Sequence, residues 1–453
     1  MSALAVPPET WSMPASAAAR AAEGREVRRR LPRSALAHLA DGPRDPLGIL
    51  DRQNATRVPE LVPLRRERMS ASPFAFYRGT AALQAADFAG EDHSGILVPS
   101  CGDAHVANFG FYGSRQRRLV FDLNDFDEAA WAPWEWDVKR LVASIVVAGQ
   151  STSRDDRVIG RAVRGAVRTY ARGMGANPGQ NPLVRFFAHF DVNAVADTLD
   201  RQTRAVVKRA VRDAAKRTGD RASRRLTTTG DDGRLVFVEQ APTMTHPADE
   251  AAIRLRANVD RYARSASVDI RVLLTNYVVS DLVRRVVGVG SVGTVCSLVL
   301  FQDGDGNALI LQAKEAGRSV LEEYGGIAQP AAFHEHVQEH GQGGRVVALQ
   351  RILQATSDPF LGQLRASGMD FYVRQFHDMK GGIEVADVED RPFHAYAEAC
   401  AATLARAHAQ SPSAPVVAGY LGSGRVAGEA LAEWAYAYAD RSRADYEAFV
   451  AAA

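Results

Sequence analysis

The sequence predicts an α+β protein with a large helical lobe and a small β-rich lobe. Three observations carry this. A 3.6-residue apolar period dominates residues 137–225 and returns in Phe393–Gln410 and Gly428–Val450. Between these regions Val286–Phe301 is β-branched and punctuated by glycine, and Ala308–Lys314 alternates as a strand does. The chain has 453 residues, 46% of them apolar, which is enough for more than one lobe around a sizeable core.

In chain order, residues 1–44 are rich in Ala, Pro and Arg and are expected to form a mobile arm, with a short helix near Ala17–Arg30. Residues 45–285 are expected to build the helical lobe. Its first part, Pro46–Gly90, is helical with a break at Ser72-Pro73. Gly95–Ser100 is a strand, Cys101–Gly110 a polar loop, and Leu119–Leu123 a second strand leading into Asn124–Glu128. Helices then run from Asp137 to about Arg225, broken at Gly173–Pro182, and over Ala251–Ser265 and Val268–Arg285. The β-rich lobe is expected at 286–378, with a turn at Asp303–Asn307, a helix over Ala331–Thr356 and a strand over Asp370–Phe376 that ends at Met379-Lys-Gly-Gly382. Helices within 379–453 complete the helical lobe.

Basic and acidic residues nearly cancel, 55 against 53, for a net charge of +2. A nucleic-acid wrapper is far more basic, so a small-molecule partner is expected instead. The three cysteines, Cys101, Cys296 and Cys400, are far apart and form no C-x-x-C, which argues against a disulfide framework and fits a reducing cytosol. No apolar run reaches membrane-spanning length and no secretory signal is visible, so a cytoplasmic protein without membrane contact is expected.

Two segments carry chemistry. Gly288-Val-Gly290-Ser291-Val-Gly293 is a G-x-G-x-x-G motif. The dinucleotide-binding fold needs a helix directly after such glycines, whereas Val295–Phe301 reads as a strand followed by a tight turn and another strand. Strand, glycine loop, strand, turn, strand is the kinase arrangement, with a lysine at the end of the third strand for the α- and β-phosphates of ATP; Lys314 stands there. Glycines let backbone approach phosphate, and a lysine offsets its charge. The bland alternative is a glycine-rich hairpin with a surface lysine. The second segment is Cys101-Gly-Asp103-Ala-His105-Val-Ala-Asn108, in which Asp103 and Asn108 are five apart in a loop after a strand. A kinase catalytic loop spaces its aspartate and its Mg²⁺-binding asparagine in about this way, and Asp125, beyond the next strand, supplies a second oxygen ligand for Mg²⁺. The alternative is a polar loop with capping aspartates.

Taken together, Gly102-Asp-Ala-His-Val-Ala-Asn108, Asp125-Phe-Asp-Glu-Ala129 and Pro133-Trp-Glu-Trp-Asp137 resemble the aminoglycoside and choline kinase pattern G-D-x-H-x-x-N, I-D-F-D-x-A and P-x-x-D-L. The resemblance implies a protein-kinase-like two-lobed fold and transfer of the ATP γ-phosphate to a hydroxyl of a small-molecule acceptor. Asp103 then matches the catalytic base, Asn108 and Asp125 the metal ligands (with Asp122 and Asp127 as fallbacks), Asp137 the aspartate that braces the loop, and His105 a structural histidine. Most of the chain also resembles an uncharacterised bacterial family, domain of unknown function 2252, through Ser72–Gly79, Cys101–Gly110, Phe121–Glu128 and Pro133–Leu141. One departure stands out. In kinases the glycine loop and lysine precede the catalytic loop; here they follow it. A circular permutation restores the order, because Leu404-Ala-Arg-Ala-His-Ala409 resembles the helix that precedes the catalytic loop in aminoglycoside kinases. Permutation requires Lys314 to face Asp125 across a gap on the order of 10 Å or less. Glu322, Glu323 and Glu335 are the candidate partners of Lys314. A catalytically silent nucleotide-binding module, or an AMP transferase on the same fold, is the alternative function.

Other features compete for attention. His336-Val-Gln-Glu-His340 matches an inverted zinc-protease motif, but a solvated helix face is the expectation. Asp303-Gly-Asp-Gly-Asn307 resembles a calcium loop, yet has Ala308 and Lys314 where glycine and glutamate belong, so a hairpin turn is expected. Arg201–Arg225 carries ten Lys or Arg and is expected to be a solvated helix rather than a nucleic-acid site. Trp131, Trp134 and Trp136 are expected to anchor core beside the catalytic loop.

Overall fold

Helices begin where the sequence supplies a cap. Ser16 accepts a hydrogen bond from the Ala19 amide at 3.2 Å and opens α1 (Ala17–Arg30); Asp45 accepts from Gly48 at 2.9 Å and opens α2 (Pro46–Ala55). After α3 (Val62–Ser70), Ser72 accepts from Ala75 at 3.0 Å and opens α4 (Pro73–Arg78), which α5 (Ala81–Ala89) follows. In α2 and α4 a proline takes the first helical position, where no amide donor is needed. The structure, a computed structural model, describes residues 13–176, 181–188, 199–247, 249–376 and 379–452.

Next come β1 (Leu97–Ser100), β2 (Phe109–Gly113), β3 (Leu119–Leu123) and β4 (Ala130–Pro133), as two antiparallel ribbons, β1 with β4 and β2 with β3. The helical part continues with α6 (Trp134–Ser151), α7 (Asp156–Ala176), α8 (Pro182–Phe187), α9 (Arg201–Ala215) and α10 (Gly219–Leu226). Helix α6 is buried continuously from Trp134 to Gly149 and forms the axis of the main core. Trp134 and Trp136 are buried and Trp131 half-buried, as core anchors should be.

A ribbon of β5 (Thr227–Thr229) and β6 (Leu235–Phe237) leads to β7 (Met244–Thr245), α11 (Asp249–Ser265), α12 (Val268–Leu274), β8 (Val278–Arg285), β9 (Cys296–Gln302) and β10 (Ala308–Glu315). After α13 (Val320–Glu323) and α14 (Ala331–Leu353) come β11 (Gly362–Ala366) and β12 (Met369–Gln375). Together they make one six-stranded antiparallel sheet in the order β11-β12-β10-β9-β8-β7. The β9–β10 hairpin turns at Asp303, whose carboxylate accepts from the Asp305 and Asn307 amides at 3.0 and 2.8 Å, as the hairpin expectation requires. Helices α15 (Asp390–His408), α16 (Ala414–Leu421) and α17 (Arg425–Ala451) return to the helical core. The protein is thus α+β, with a helical part and a sheet.

Three expectations need correction. The helix expected over Val268–Arg285 stops at Leu274; Val278–Arg285 is strand β8, because this β-branched run pairs with β9 along most of its length, and that pairing overrides the local period. The sheet therefore starts at Met244 rather than at 286, and α11 covers one face of it, where Tyr262 packs with Val299 and Phe301. At the other end of the expected β-rich lobe, His377 and Asp378 lie outside the described residues, as do 177–180 of the expected break at Gly173–Pro182.

The third correction concerns the expected mobile arm, whose residues 1–12 lie outside the described set. From Ala17 onward it is docked. Helix α1 crosses α16 closely, and Arg28 donates to the Tyr420 carbonyl at 2.8 Å. Glycine, not an apolar stripe, permits the crossing: a Cβ on Gly24 would lie 1.9 Å from the Val416 oxygen, and one on Gly419 would lie 2.0 Å from the Ala21 oxygen. Gly24→Ala gains about 1 kcal/mol in helix propensity, but the overlap with backbone should cost more, about 1–3 kcal/mol net. Thermal denaturation should show a lowered midpoint; a raised midpoint would contradict the crossing.

Candidate functional site

The loop after β1 is fixed from beneath. Asp137, in the first turn of α6, accepts hydrogen bonds from the Cys101 and Gly102 amides at 2.8 and 3.0 Å. His408 of α15 meets the same carboxylate through Nε2 at 3.2 Å, and its Nδ1 pairs with the Tyr170 hydroxyl at 2.8 Å. Gly102 has φ of +79°, and a Cβ there would sit 2.1 Å from the Glu128 oxygen, so only glycine fits. The loop thereby presents Asp103, whose Oδ1 accepts from Arg140 Nε at 2.8 Å. Arg140 lies one helical turn after Asp137, is buried, and also donates to Gln84 at 2.8 Å and to the Tyr77 carbonyl at 2.6 Å. His105 Nε2 stands 3.5 Å from the other Asp103 oxygen, and burial lowers the imidazole pKa to about 4, which keeps it neutral.

Asn108 donates through Nδ2 to the carbonyls of Asp103 at 2.9 Å and Asp125 at 3.3 Å. This ties the loop to the end of β3 and leaves the amide oxygen as the group available to a cation. Lys314 on β10, flanked in the sheet by Cys296 and Tyr372, is buried and reaches across to contact Asp127, with Asp125 Oδ2 at 3.8 Å. Tyr372 donates to Asp127 Oδ1 at 2.8 Å, and Ser291 donates to its Oδ2 at 3.4 Å. Burial alone would raise Asp125, but the cations Lys314, Arg374 and Lys380 overcome it and hold that carboxyl below its ordinary range. Asp127 moves up, through burial and the Asp125 carboxylate beside it. Arg374 and desolvation bring Lys380 down to about 7.

The glycine loop forms the roof. It joins β8 to β9 and opens no helix. Its carbonyls are tied to the helical part: Arg68 donates to Gly288 at 2.6 Å, the Val58 amide to Gly293 at 2.8 Å, and Arg57 to Val292. The cleft beneath it, about 380 Å³, has Asp103, His105, Asn108, Asp125, Asp127, Gly288, Gly290, Ser291 and Lys314 in its lining. A neighbouring hollow of about 550 Å³ adjoins it and shares Asn124, Gly288, Arg374 and Lys380 in its lining.

Most residues singled out in the sequence therefore meet in one cleft. Gly293 faces Arg57 instead of the cavity, since a Cβ there would meet the Arg57 side chain at 2.9 Å. Asp122 is not available as a fallback ligand: it is buried, paired with Arg406 at 3.0 Å, and accepts from the Ala355 amide at 2.9 Å. Glu335 is exposed on α14 and makes no contact with Lys314; neither do Glu322 and Glu323, and the two aspartates take that place. What α14 contributes is Arg345, buried and donating to the Asp127 and Gly317 carbonyls at 2.7 and 2.9 Å. Arg140, Tyr372, Arg345 and Lys380 were missed; Arg140 alone had a signal, lying three residues beyond Asp137 on one helix face. The His336 and His340 rings sit 4.5 Å apart on a largely solvated turn of α14.

Among the described residues no three His, Cys, Asp or Glu side chains gather to hold a metal by themselves. The donor set of Asn108, Asp125 and Asp127 is all hard oxygen, which suits Mg²⁺ kept by few protein ligands with water and phosphate completing its shell. No helix is long and apolar enough to cross a membrane among the described residues. The profile of a family described as "Uncharacterized protein conserved in bacteria (DUF2252)" matches residues 57–452. No curated protein and no solved structure matches the chain.

Proposed function

The chain belongs to the DUF2252 family of bacterial proteins, and from its cleft we propose that it is an ATP-dependent phosphotransferase of protein-kinase-like type, with its lobes in permuted order. The observation that carries this reading is the meeting of Lys314 with Asp125, at 3.8 Å, and with Asp127 beneath a glycine loop. Lys314 and Asp127, 187 positions apart in sequence, thus share one site. Two further observations support it. The glycine motif lies between antiparallel strands, as a triphosphate cradle does in kinases and a dinucleotide site does not. Leu404–Ala409, the segment that permutation requires under the Asp103 loop, supplies His408 to the Asp137 carboxylate.

In this reading the loop at Gly288–Ser291 and Lys314 hold the ATP phosphates. Asn108 and Asp125 hold Mg²⁺, which offsets phosphate charge, with Asp127 beside them. Asp103, oriented by Arg140, takes the proton from the acceptor hydroxyl. The hydroxyl oxygen forms the new bond to the γ-phosphorus, and the bond to the β,γ-bridging oxygen breaks with its electron pair leaving on ADP. Asp137 and His105 are positioning residues. The acceptor is a small molecule rather than a nucleic acid, and a cytoplasmic site of action is part of the same proposal.

Calorimetry with Mg²⁺–ATP tests it. Saturating ligand should stabilise the fold by about 2.7 kcal/mol at a hundredfold excess over Kd. Ser291→Glu places a carboxylate beside both the phosphates and Asp127. At close range in a partly screened site that repulsion amounts to about 1–4 kcal/mol, so affinity should fall by about tenfold or more. Neither heat nor a melting shift in the unaltered protein would reject the reading.

A further inference from the structure

Beyond Asp103 the cleft ends in arginines that form no ion pair among the described residues. Arg78 closes α4, and its carbonyl lies close to the tip of the glycine loop, where a Cβ on Gly290 would be 3.1 Å away. Its side chain lines the cavity, and its charge bears on His105, which stands 3.5 Å from Asp103. Among the described residues the Arg78 guanidinium has no ion-pair partner, and its buried Nε has no hydrogen bond. Arg57 lines the same wall; it donates once, to the Val292 carbonyl, and its own buried Nε is unpartnered. Behind them Arg65 is buried and held only by neutral groups, Asn54 at 2.6 Å, Gln53 at 3.2 Å and the Gly79 carbonyl at 3.4 Å. Burial and the nearby Arg57 bring its pKa down to about 9.

Glu128 and Glu315 act on Arg57 from a distance, but neither forms an ion pair with it; they accept the Val320 and Val295 amides instead, each at 2.8–2.9 Å. Gathering three arginines with no carboxylate in direct contact costs free energy that a ligand placing an anion against them would return. The cations suited to a triphosphate, Lys314, Arg374 and Lys380, stand around Asp125. Gly79, Ala81 and Ala82 line the wall beside Arg78 and leave room there.

We infer that Arg78 and Arg57 form an anion site that holds a carboxylate or phosphate group of the acceptor while its hydroxyl lies at Asp103. Guanidinium groups suit either anion because their paired donors match two oxygens at once. Naming the anion's owner as the acceptor rests on the phosphotransferase reading; the anion site itself does not.

The full chain is saturated with Mg²⁺ and a non-hydrolysable ATP analogue, so that the glycine-loop end is filled. It is then titrated by calorimetry with glycerol 3-phosphate, glycerate and glycerol. At least one of the two acids should bind and raise the melting temperature, and glycerol should do neither. Arg78→Gln should weaken acid binding by about tenfold or more while analogue affinity stays within about twofold, with Arg78→Lys in between. Arg57→Gln provides a second variant, and the melting curve of each variant reports its folding. Failure of both acids to bind, equal binding of glycerol, or undiminished acid binding in both folded glutamine variants would overturn the inference. So would an Arg78→Gln loss of analogue affinity as large as its loss of acid affinity, since the arginine would then serve the nucleotide. If the analogue never binds but Arg78-dependent acid binding persists, the phosphotransferase reading falls and the anion site stands.

Discussion

Asp103→Asn is expected to lower turnover by about 10²-fold or more while leaving Mg²⁺–ATP affinity unchanged. The substitution is nearly isosteric, and an asparagine oxygen can still accept from Arg140, so the loop keeps its shape. Its backbone is held by Asp137 through the Cys101 and Gly102 amides, not by Asp103 itself. On the phosphotransferase reading, what is lost is the proton acceptor. ADP release from a metabolite pool, followed with calorimetric Kd values for both proteins, separates the two quantities. Turnover equal to that of the unaltered protein would remove Asp103 from the base role.

Asp125→Ala has the second large effect, and it falls on binding. The carboxylate is 3.8 Å from Lys314 and sits among Arg374 and Lys380, which keep it ionised. Its removal takes away a hard oxygen ligand and leaves that cluster of cations with Asp127 alone. The Mg²⁺-dependent part of ATP affinity should drop by roughly 10–100-fold, the range seen when a metal's coordination is disturbed. ATP binding without Mg²⁺ should change little. Asp122→Ala supplies the contrast: it strands Arg406 as a buried, unpaired charge and should cost about 3–5 kcal/mol of stability instead. A variant at Asp125 that binds Mg²⁺–ATP normally would remove that residue from the metal site.

The difference between those two aspartates shows what sequence can and cannot say. Both lie near the end of one strand, and spacing alone allows either. Asp122 is settled by Arg406, which arrives from α15 more than 280 positions away in sequence, and nothing local announces that meeting. Features closed within a few residues were legible: the break at Ser72-Pro73, β3, the Asp303 turn and the Asp103–Asn108 loop. Strand β8 was not, because its state is decided by pairing with β9 rather than by its own period. Nor was the partner of Lys314. A helix glutamate was sought on α14, but the inward-facing part of that helix lies beyond Gly341, where Arg345 enters the cleft wall. The cleft's cations, Arg78 and Lys380 among them, were invisible for the same reason: each comes from a different element, and only the assembled walls put them together.

The ties between the glycine loop and the first helices have a kinetic consequence. Three loop carbonyls, at Gly288, Val292 and Gly293, are latched by Arg68, Arg57 and Val58, all contributed by a stretch of 12 residues. Each such bond is worth about 0.5–1.5 kcal/mol net, so undoing the set costs roughly 1.5–4.5 kcal/mol and slows loop opening by about one to three orders of magnitude. On the phosphotransferase reading, traffic of nucleotide in and out of the cleft is therefore metered by residues 57–68, through bonds to the loop backbone rather than to the nucleotide. The loop between two sheet strands is thus held by the helical part of the protein, so anything that shifts α3 or the turn before it sets the rate of exchange from a distance.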